Sequence, residues 1–373
     1  MKGSRIPMAN HELIRADHVG SLLRPEILKE ARADYANGII TKQALTEIEN
    51  VEIDKIISKQ AELGFNVVTD GEFRRAWYYL DFFTACEGIE KVESNPLVFN
   101  NDTKTEAVNF SITGKVSLGN HPFVEEFKLT NKIAKKYGVE LKLTIPSPNL
   151  ITYRDVTDEE REFYADEEAV FADIIQLYQE LIPQLYEAGC RHLQFDDTAW
   201  NSFFTDFGLL EVKNINRDLA LKLFKQATND VLAVVPKDMK TYVHICRGNY
   251  KSEHLTEGSY GPIAEVLFGQ LDYDYLLVEY DDERSGDFAP LKNATKENQI
   301  ITLGLVTSKN SELEKESAMI KRIYEAAEYI PLNRLAISPQ CGFASTEEGN
   351  ALTEKEQWAK LDLVSKVAKK VWQ

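Results

Sequence analysis

Thr241-Tyr-Val-His-Ile-Cys246 is an apolar, β-branched and aromatic run that ends in two metal-binding side chains. Residues i and i+2 of a strand share a face, so His244 and Cys246 point the same way at its C-terminal tip. Imidazole and thiolate together suit Zn²⁺, which in catalytic sites takes three protein ligands and leaves one position open. A buried histidine beside a buried cysteine is the competing reading. What other residues reach the same place decides between them.

Seven similar runs flank this one, at 14–21, 66–72, 141–147, 192–197, 275–280, 299–306 and 334–341. Helical segments follow most of them. One spans 41–63, with Leu45, Ile48, Ile53, Ile56, Ile57 and Ala61 on one face and Gly64 closing it. Others are expected at 167–188 before Gly189, and at 217–233, 262–268, 311–329 and 353–371, while Pro25 sits where a helix can begin. Strands alternating with helices predict a parallel sheet, and eight such units in 373 residues predict a closed α/β (β/α)₈ TIM barrel. The rhythm loosens at 78–137, where Val108-Asn-Phe-Ser-Ile-Thr-Gly-Lys-Val116 alternates like part of a hairpin. That stretch is expected to be an excursion between strands 2 and 3 of a single catalytic domain, residues 1–373.

Composition narrows the function. A net charge of −17 disfavours nucleic acid and anionic membranes as partners. No apolar run is long enough to span a bilayer, and residues 1–10 lack the apolar core of a secretory signal. Four scattered cysteines make no disulfide framework, so a cytoplasmic protein is expected. Cys86 and Cys190 read as packing residues, and His11, His121 and His254 as loop residues. An exposed barrel flank makes a homodimer the expected assembly.

In such barrels the chemistry sits at the C-terminal ends of the strands. Those ends carry Ser21, Glu72, Asp196, Asp197, His244, Cys246, Glu279 and Cys341. His244, Cys246, Glu279 and Cys341 form a coherent zinc set with a net charge of −1 when the cation is bound (−3 plus 2). Such a site can exchange its carboxylate or expand to admit an external thiol and hold it as the nucleophilic thiolate. The alternative leaves Cys341 a small buried apolar residue and Glu279 an ordinary strand-end acid. Glu72, Asp196 and Asp197 suit general acid–base work, a hard cation, or a clamp for a ligand ammonium. Beside a zinc thiolate the clamp is attractive, because an amino-acid thiol carries an ammonium, and its carboxylate could meet Ser21.

At these residues the chain resembles the catalytic barrel of cobalamin-independent methionine synthase. It is especially similar to shorter single-barrel relatives of the 5-methyltetrahydropteroyltriglutamate–homocysteine methyltransferase type. The matching motifs are His-Val-Gly-Ser (18–21), Asp-Gly-Glu (70–72), Gln-Phe-Asp-Asp (194–197), His-Ile-Cys (244–246), the strand ending at Glu279, and Ser-Pro-Gln-Cys-Gly (338–342). The resemblance implies zinc held by His244, Cys246, Glu279 and Cys341, and homocysteine bound through Ser21, Glu72 and Asp196. It also implies a methyl group taken from N5 of a methylated folate or related donor to give methionine.

The donor half departs from the family pattern. Thr144-Ile-Pro-Ser-Pro148 stands where the family places a tryptophan against the pterin. Lys309 aligns with a histidine that serves as proton donor, so the catalytic acid is unassigned. Asp197, Lys309 and His18 are candidates for donor-side or supporting roles. Two other readings compete: a metal-free barrel like uroporphyrinogen decarboxylase, with Arg15, Arg24, Arg74 and Arg75 as its basic pocket, and a non-catalytic zinc- or thiol-binding barrel.

Overall fold

The computed structural model describes residues 13–204 and 216–373. His11 and the stretch 1–10 lie outside the described residues. Among the described residues nine strands occur in chain order: β1 (Val67–Val68), β2 (Glu87–Glu93), β3 (Val108–Ser117), β4 (Glu140–Pro146), β5 (His192–Asp196), β6 (Lys240–Ile245), β7 (Tyr275–Glu279), β8 (Ile300–Val306) and β9 (Leu335–Pro339). Seven of them form one curled parallel sheet in the order β1-β4-β5-β6-β7-β8-β9.

The first predicted strand makes a single bridge, Ala16 to Ile337, and so is an extended run rather than a full strand. It still joins the two edges of the sheet. On the β9 side Asp17 N–H donates to the Ile337 carbonyl at 3.0 Å. On the β1 side Leu22 N–H donates to the Gly71 carbonyl at 3.0 Å, and Thr69 Oγ1 donates to the Gly20 carbonyl at 2.6 Å. The fold is therefore the expected (β/α)₈ barrel.

Strand parity divides the core. Val243, Ile245, Leu276, Val278, Ile301, Leu303 and Ile337 join the large cluster under the outer helices. Their neighbours Tyr242, Tyr275, Leu277, Ile300 and Ala336 form a separate cluster with Val19. Alternate residues of each strand thus face the barrel interior. Tyr242 and Tyr275 stack there at 4.6 Å, beside a buried Lys142–Asp17 ion pair of 2.7 Å whose side chains are 0% and 1% exposed. Lys142 also donates to the His18 carbonyl at 2.8 Å, so the buried ammonium has several partners. His244, Cys246 and Glu279 share this inward parity, above the plug.

The helices start where side chains can cap them. Thr41, Asp166 and Thr353 each accept a backbone N–H of the first turn, and Thr353 forms a capping box with Glu356. Gly189 ends the helix Glu167–Glu187 with φ at 99°, a conformation that favours glycine. The helix expected at 262–268 is instead a short 3₁₀ turn, Gly261–Ile263, followed by a π turn, Glu265–Gln270. Gln270 Nε2 donates to Glu265 Oε1 at 3.1 Å, five residues back, in keeping with the wider turn.

The excursion is present as the antiparallel pair β2–β3. The helix Phe123–Lys136, inside the expected 78–137, belongs to the barrel wall: it packs on β4 and on the helix Lys42–Glu62. Among the described residues no helix is long and apolar enough to cross a membrane.

Candidate metal centre

The four side chains of the expected zinc set converge. His244, Cys246, Glu279 and Cys341 are all buried, and one ligand atom from each lies within 4.8 Å of the others. Cys246 Sγ and Cys341 Sγ stand 3.5 Å apart, although 95 residues separate them. Two thiolates on a tetrahedral zinc stand roughly 3.8 Å apart, so the spacing fits one cation between them.

The remaining hydrogen bonds leave the ligand atoms free. His244 Nδ1–H donates to the Leu277 carbonyl at 3.3 Å, and Nε2 is buried without a partner. Glu279 Oε1 accepts Arg247 N–H at 2.8 Å, and Oε2 is likewise buried and unpartnered. A buried ring nitrogen and a buried carboxylate oxygen left without partners beside two sulfurs are costly in an apolar interior, and a bound cation that both atoms ligate removes that cost. Gly248 N–H donates to Cys246 Sγ at 3.2 Å, a contact that favours thiolate.

With protein groups alone, the sulfur pair shares one proton. The hydrogen bond from Cys246 draws Cys341 well below the ordinary thiol range, and the same bond pushes Cys246 well above it. Burial pulls His244 down, but neighbouring Cys341 carries it up to about 8. Cys86 and Cys190, by contrast, are raised to about 12 by burial, as inert packing thiols should be.

The second expected cluster divides. Glu72 and Asp196 line one cavity together with Ser21, His244, Cys246 and Cys341. Thr144 Oγ1 donates to Glu72 Oε1 at 2.9 Å, while Oε2 is buried and unpartnered. Burial, and then the Glu72 carboxylate, push Asp196 up to about 7. Gly342 leaves room for Ser21, since a Cβ there would stand 1.9 Å from Ser21 Oγ, and Phe343 N–H donates to the Ser21 carbonyl at 2.9 Å.

Asp197 points the other way. Its Oδ2 accepts from Ser147 Oγ (2.7 Å), Asn149 Nδ2 (2.7 Å) and Trp200 Nε1 (2.9 Å), and Oδ1 accepts Ala199 N–H at 3.2 Å. It pins the turn Pro148–Tyr153 to the turn Ala199–Phe203. Lys309 does not line the cavity; its Nζ donates to the Gly248 carbonyl and Asn249 Oδ1 at 3.3 and 3.2 Å.

His18 lies against Phe65, edge to face at 5.3 Å, with both ring nitrogens buried and unpartnered. Burial, and then the Lys142 charge, lower it to about 4. An unfolded imidazole near 6.5 therefore takes up a proton that the folded one refuses. Its contribution to stability is whole above about pH 6.5 and falls away as the pH drops toward 4. The loss should reach about 3 kcal/mol. Urea midpoints of the wild type should fall more steeply than those of His18→Leu between pH 7 and 4; parallel profiles would contradict this account.

Comparison with known proteins gives the family. A family profile described as "Cobalamin-independent synthase, Catalytic domain" matches residues 15–370. The chain belongs to the cobalamin-independent synthase catalytic-domain family. It is 45% identical over 361 residues to the Bacillus subtilis protein YxjH, covering 96% of this chain and 94% of the relative. It is 21% identical over 324 residues to a methionine synthase of Sulfolobus acidocaldarius, covering 87% and 84%. A candidate vitamin-B12 independent methionine synthase of known structure, from Listeria monocytogenes, superposes with a TM-score of 0.78 at 38% identity, covering 96% of this chain and 98% of that one. A B12-independent methionine synthase from Shewanella sp. W3-18-1, solved with selenomethionine, shares the fold at a TM-score of 0.73 and 18% identity, covering 96% and 98%.

Within this methyltransferase family the decarboxylase reading falls, and the geometry gives the reason. Arg24 donates to the carbonyls of Leu22, Ala344, Glu72 and Arg75. Arg74 holds Glu49 and Asn50, Arg75 holds Thr144, and Arg15 holds the Asn333 and Leu335 carbonyls. These guanidiniums are committed to the scaffold, and none of the four lines the cavity. Sequence reading missed the aromatic part of that cavity, Trp77, Tyr78, Tyr79, Phe99, Tyr153 and Tyr250. The run Trp77-Tyr-Tyr79, soon after the strand tip at Glu72, was the available signal.

Proposed function

We propose that this chain is a zinc-dependent S-methyltransferase that methylates homocysteine to methionine, with His244, Cys246, Glu279 and Cys341 as the zinc ligands. The observation that carries the reading is the convergence of four buried donors on one point beside the cavity that Glu72, Asp196 and Ser21 line. When bound, zinc supplies the positive charge that keeps an acceptor thiol ionised at neutral pH.

The chain's own residues do the rest. Glu72, with a free buried oxygen, and Asp196 receive the ammonium of the amino-acid thiol. Burial raises Asp196 most and Glu72 repulsion next, and an ammonium bound between the two carboxylates offsets the second. Ser21, held by Phe343 N–H and Ala344 N–H, faces the acceptor carboxylate. Phe99 and Leu255, which line the cavity from the two loops over it, exclude water that would otherwise solvate the nucleophile. Orienting thiol and donor in line supplies much of the remaining acceleration.

Zinc-loaded protein given homocysteine and methyl iodide, a donor that needs no binding site, tests the acceptor half alone. Methionine should form in a zinc-dependent, saturable reaction. Glu72→Gln should raise the half-saturating homocysteine concentration by roughly tenfold or more, the cost of a lost charge-assisted hydrogen bond. Unchanged saturation in that variant would remove Glu72 from the acceptor site.

A further inference from the structure

The same cavity has an aromatic lining. Tyr79 lies 6.1, 5.1 and 5.8 Å from the ring centroids of Trp77, Tyr78 and Tyr153, and Phe99 lies 5.5 Å from Tyr250. All six line the cavity. The Tyr250 hydroxyl donates to Glu348 Oε1 at 2.7 Å, and a phenol hydrogen-bonded to a carboxylate has a more electron-rich ring. The segment that carries Phe99 is tied to the one that carries Leu255, and both residues line the cavity. Asn100 N–H donates to the His254 carbonyl at 3.0 Å, and His254 N–H to Asn100 Oδ1 at 2.7 Å.

Among the described residues lining this cavity there is no lysine or arginine. Lys309, the nearest counterpart of a donor-side cation in the sequence, is spent on the loop after Cys246. A donor with several carboxylates would have to bury them unpaired, which is expensive. A compact cation meets the opposite condition: aromatic rings that attract positive charge, with no lysine or arginine among the described lining residues to repel it. Asn201, buried with neither amide atom partnered, also lines the cavity and offers a neutral polar contact.

Resting on the thiol-methylating reading above, we infer that the methyl donor is a small onium cation, a methylsulfonium or methylammonium compound, held against this aromatic wall. The transfer balances without an added acid. The acceptor sulfur forms a bond to the methyl carbon, and the bond from that carbon to the onium sulfur or nitrogen breaks. Its electron pair stays on the leaving atom, which departs as a neutral thioether or tertiary amine. A neutral tertiary amine such as a methylated folate would instead leave as an anion and needs a proton. Tyr78, whose hydroxyl donates to or accepts from Thr198 Oγ1 at 2.7 Å, is held well above the ordinary phenol range by burial and so is a poor source of one.

The probes are S-methylmethionine for the sulfonium arm and trimethylglycine for the ammonium arm. Calorimetry should show binding of one of them to the full chain with or without zinc. Tyr250→Leu should weaken that binding by roughly tenfold, and Tyr250→Phe, which keeps the ring, should restore most of it. Zinc-loaded protein with homocysteine should then move a labelled methyl group from that probe to the thiol, and should not do so from methyltetrahydrofolate. Transfer from methyltetrahydrofolate with neither onium probe active would overturn the inference. So would inactivity of both probes in a preparation that still methylates homocysteine with methyl iodide. Failure of the methyl iodide reaction itself would instead sink the underlying thiol-methylating reading, and this inference with it.

Discussion

Replacing Cys246 by serine is expected to empty the metal centre and abolish thiol methylation while leaving the barrel folded. Serine keeps the shape, but its hydroxyl stays protonated at neutral pH and is a poor zinc ligand. Loss of an outer-shell partner already costs metal sites roughly 10–100-fold in affinity, and loss of a ligand should cost more. The fold should survive because Cys246 lies just past the end of β6, where its sulfur accepts from Gly248 N–H and meets the Cys341 sulfur, and carries no strand hydrogen bond through its side chain. Elemental analysis should fall from about one zinc per chain to a small fraction of that, with unchanged far-UV circular dichroism. A Cys246→Ser protein that retained stoichiometric zinc and wild-type turnover would mean the ligand set is wrong.

The largest loss of stability is expected from Asp197, the neighbour of a proposed acceptor-binding residue. Asp197→Ala removes a fully buried carboxylate, 0% exposed, that four donors share. The Ser147, Asn149 and Trp200 donors would be left facing an apolar gap. Buried groups stripped of a charged partner typically cost about 3–5 kcal/mol. Urea denaturation should register that loss directly. Because the two tethered turns carry Tyr153, Thr198 and Asn201 into the cavity, the variant should also bind donor poorly. Wild-type stability in Asp197→Ala would show that the turns hold their places without it.

Asp196 and Asp197 illustrate what reading a sequence can and cannot reach. Both sit at a strand tip, and both read as candidates for one carboxylate cluster. Adjacent residues leave an extended chain on opposite faces, so one turns into the barrel and the other toward the loops. Lys309 is a similar case. Its place after a strand is legible, but a long flexible side chain can reach several partners, and only the packed loop after Cys246 decides which it takes. The aromatic wall was hidden because its members come from the excursion and from loops after three different strands, where no local period marks them.

Local periodicity was enough to place β4 to β9 and most of the long helices within a residue or two. Excursion limits were harder: the helix Phe123–Lys136 has the same amphipathic pattern whether it covers a hairpin or the barrel wall.

By itself, then, the chain's sequence determined the alternation of strands and helices and the shared face of His244 and Cys246, because both follow from backbone geometry over a few residues. It also determined which polar side chains end up at strand tips. Only the tertiary structure decided that Cys341 meets Cys246 at 3.5 Å, that Asp197 turns away, and that aromatic rings and the Glu72 and Asp196 carboxylates line one cavity. Those contacts join residues far apart in the chain, and their distances are set when the sheet closes and the loops pack over its mouth, not by any local preference.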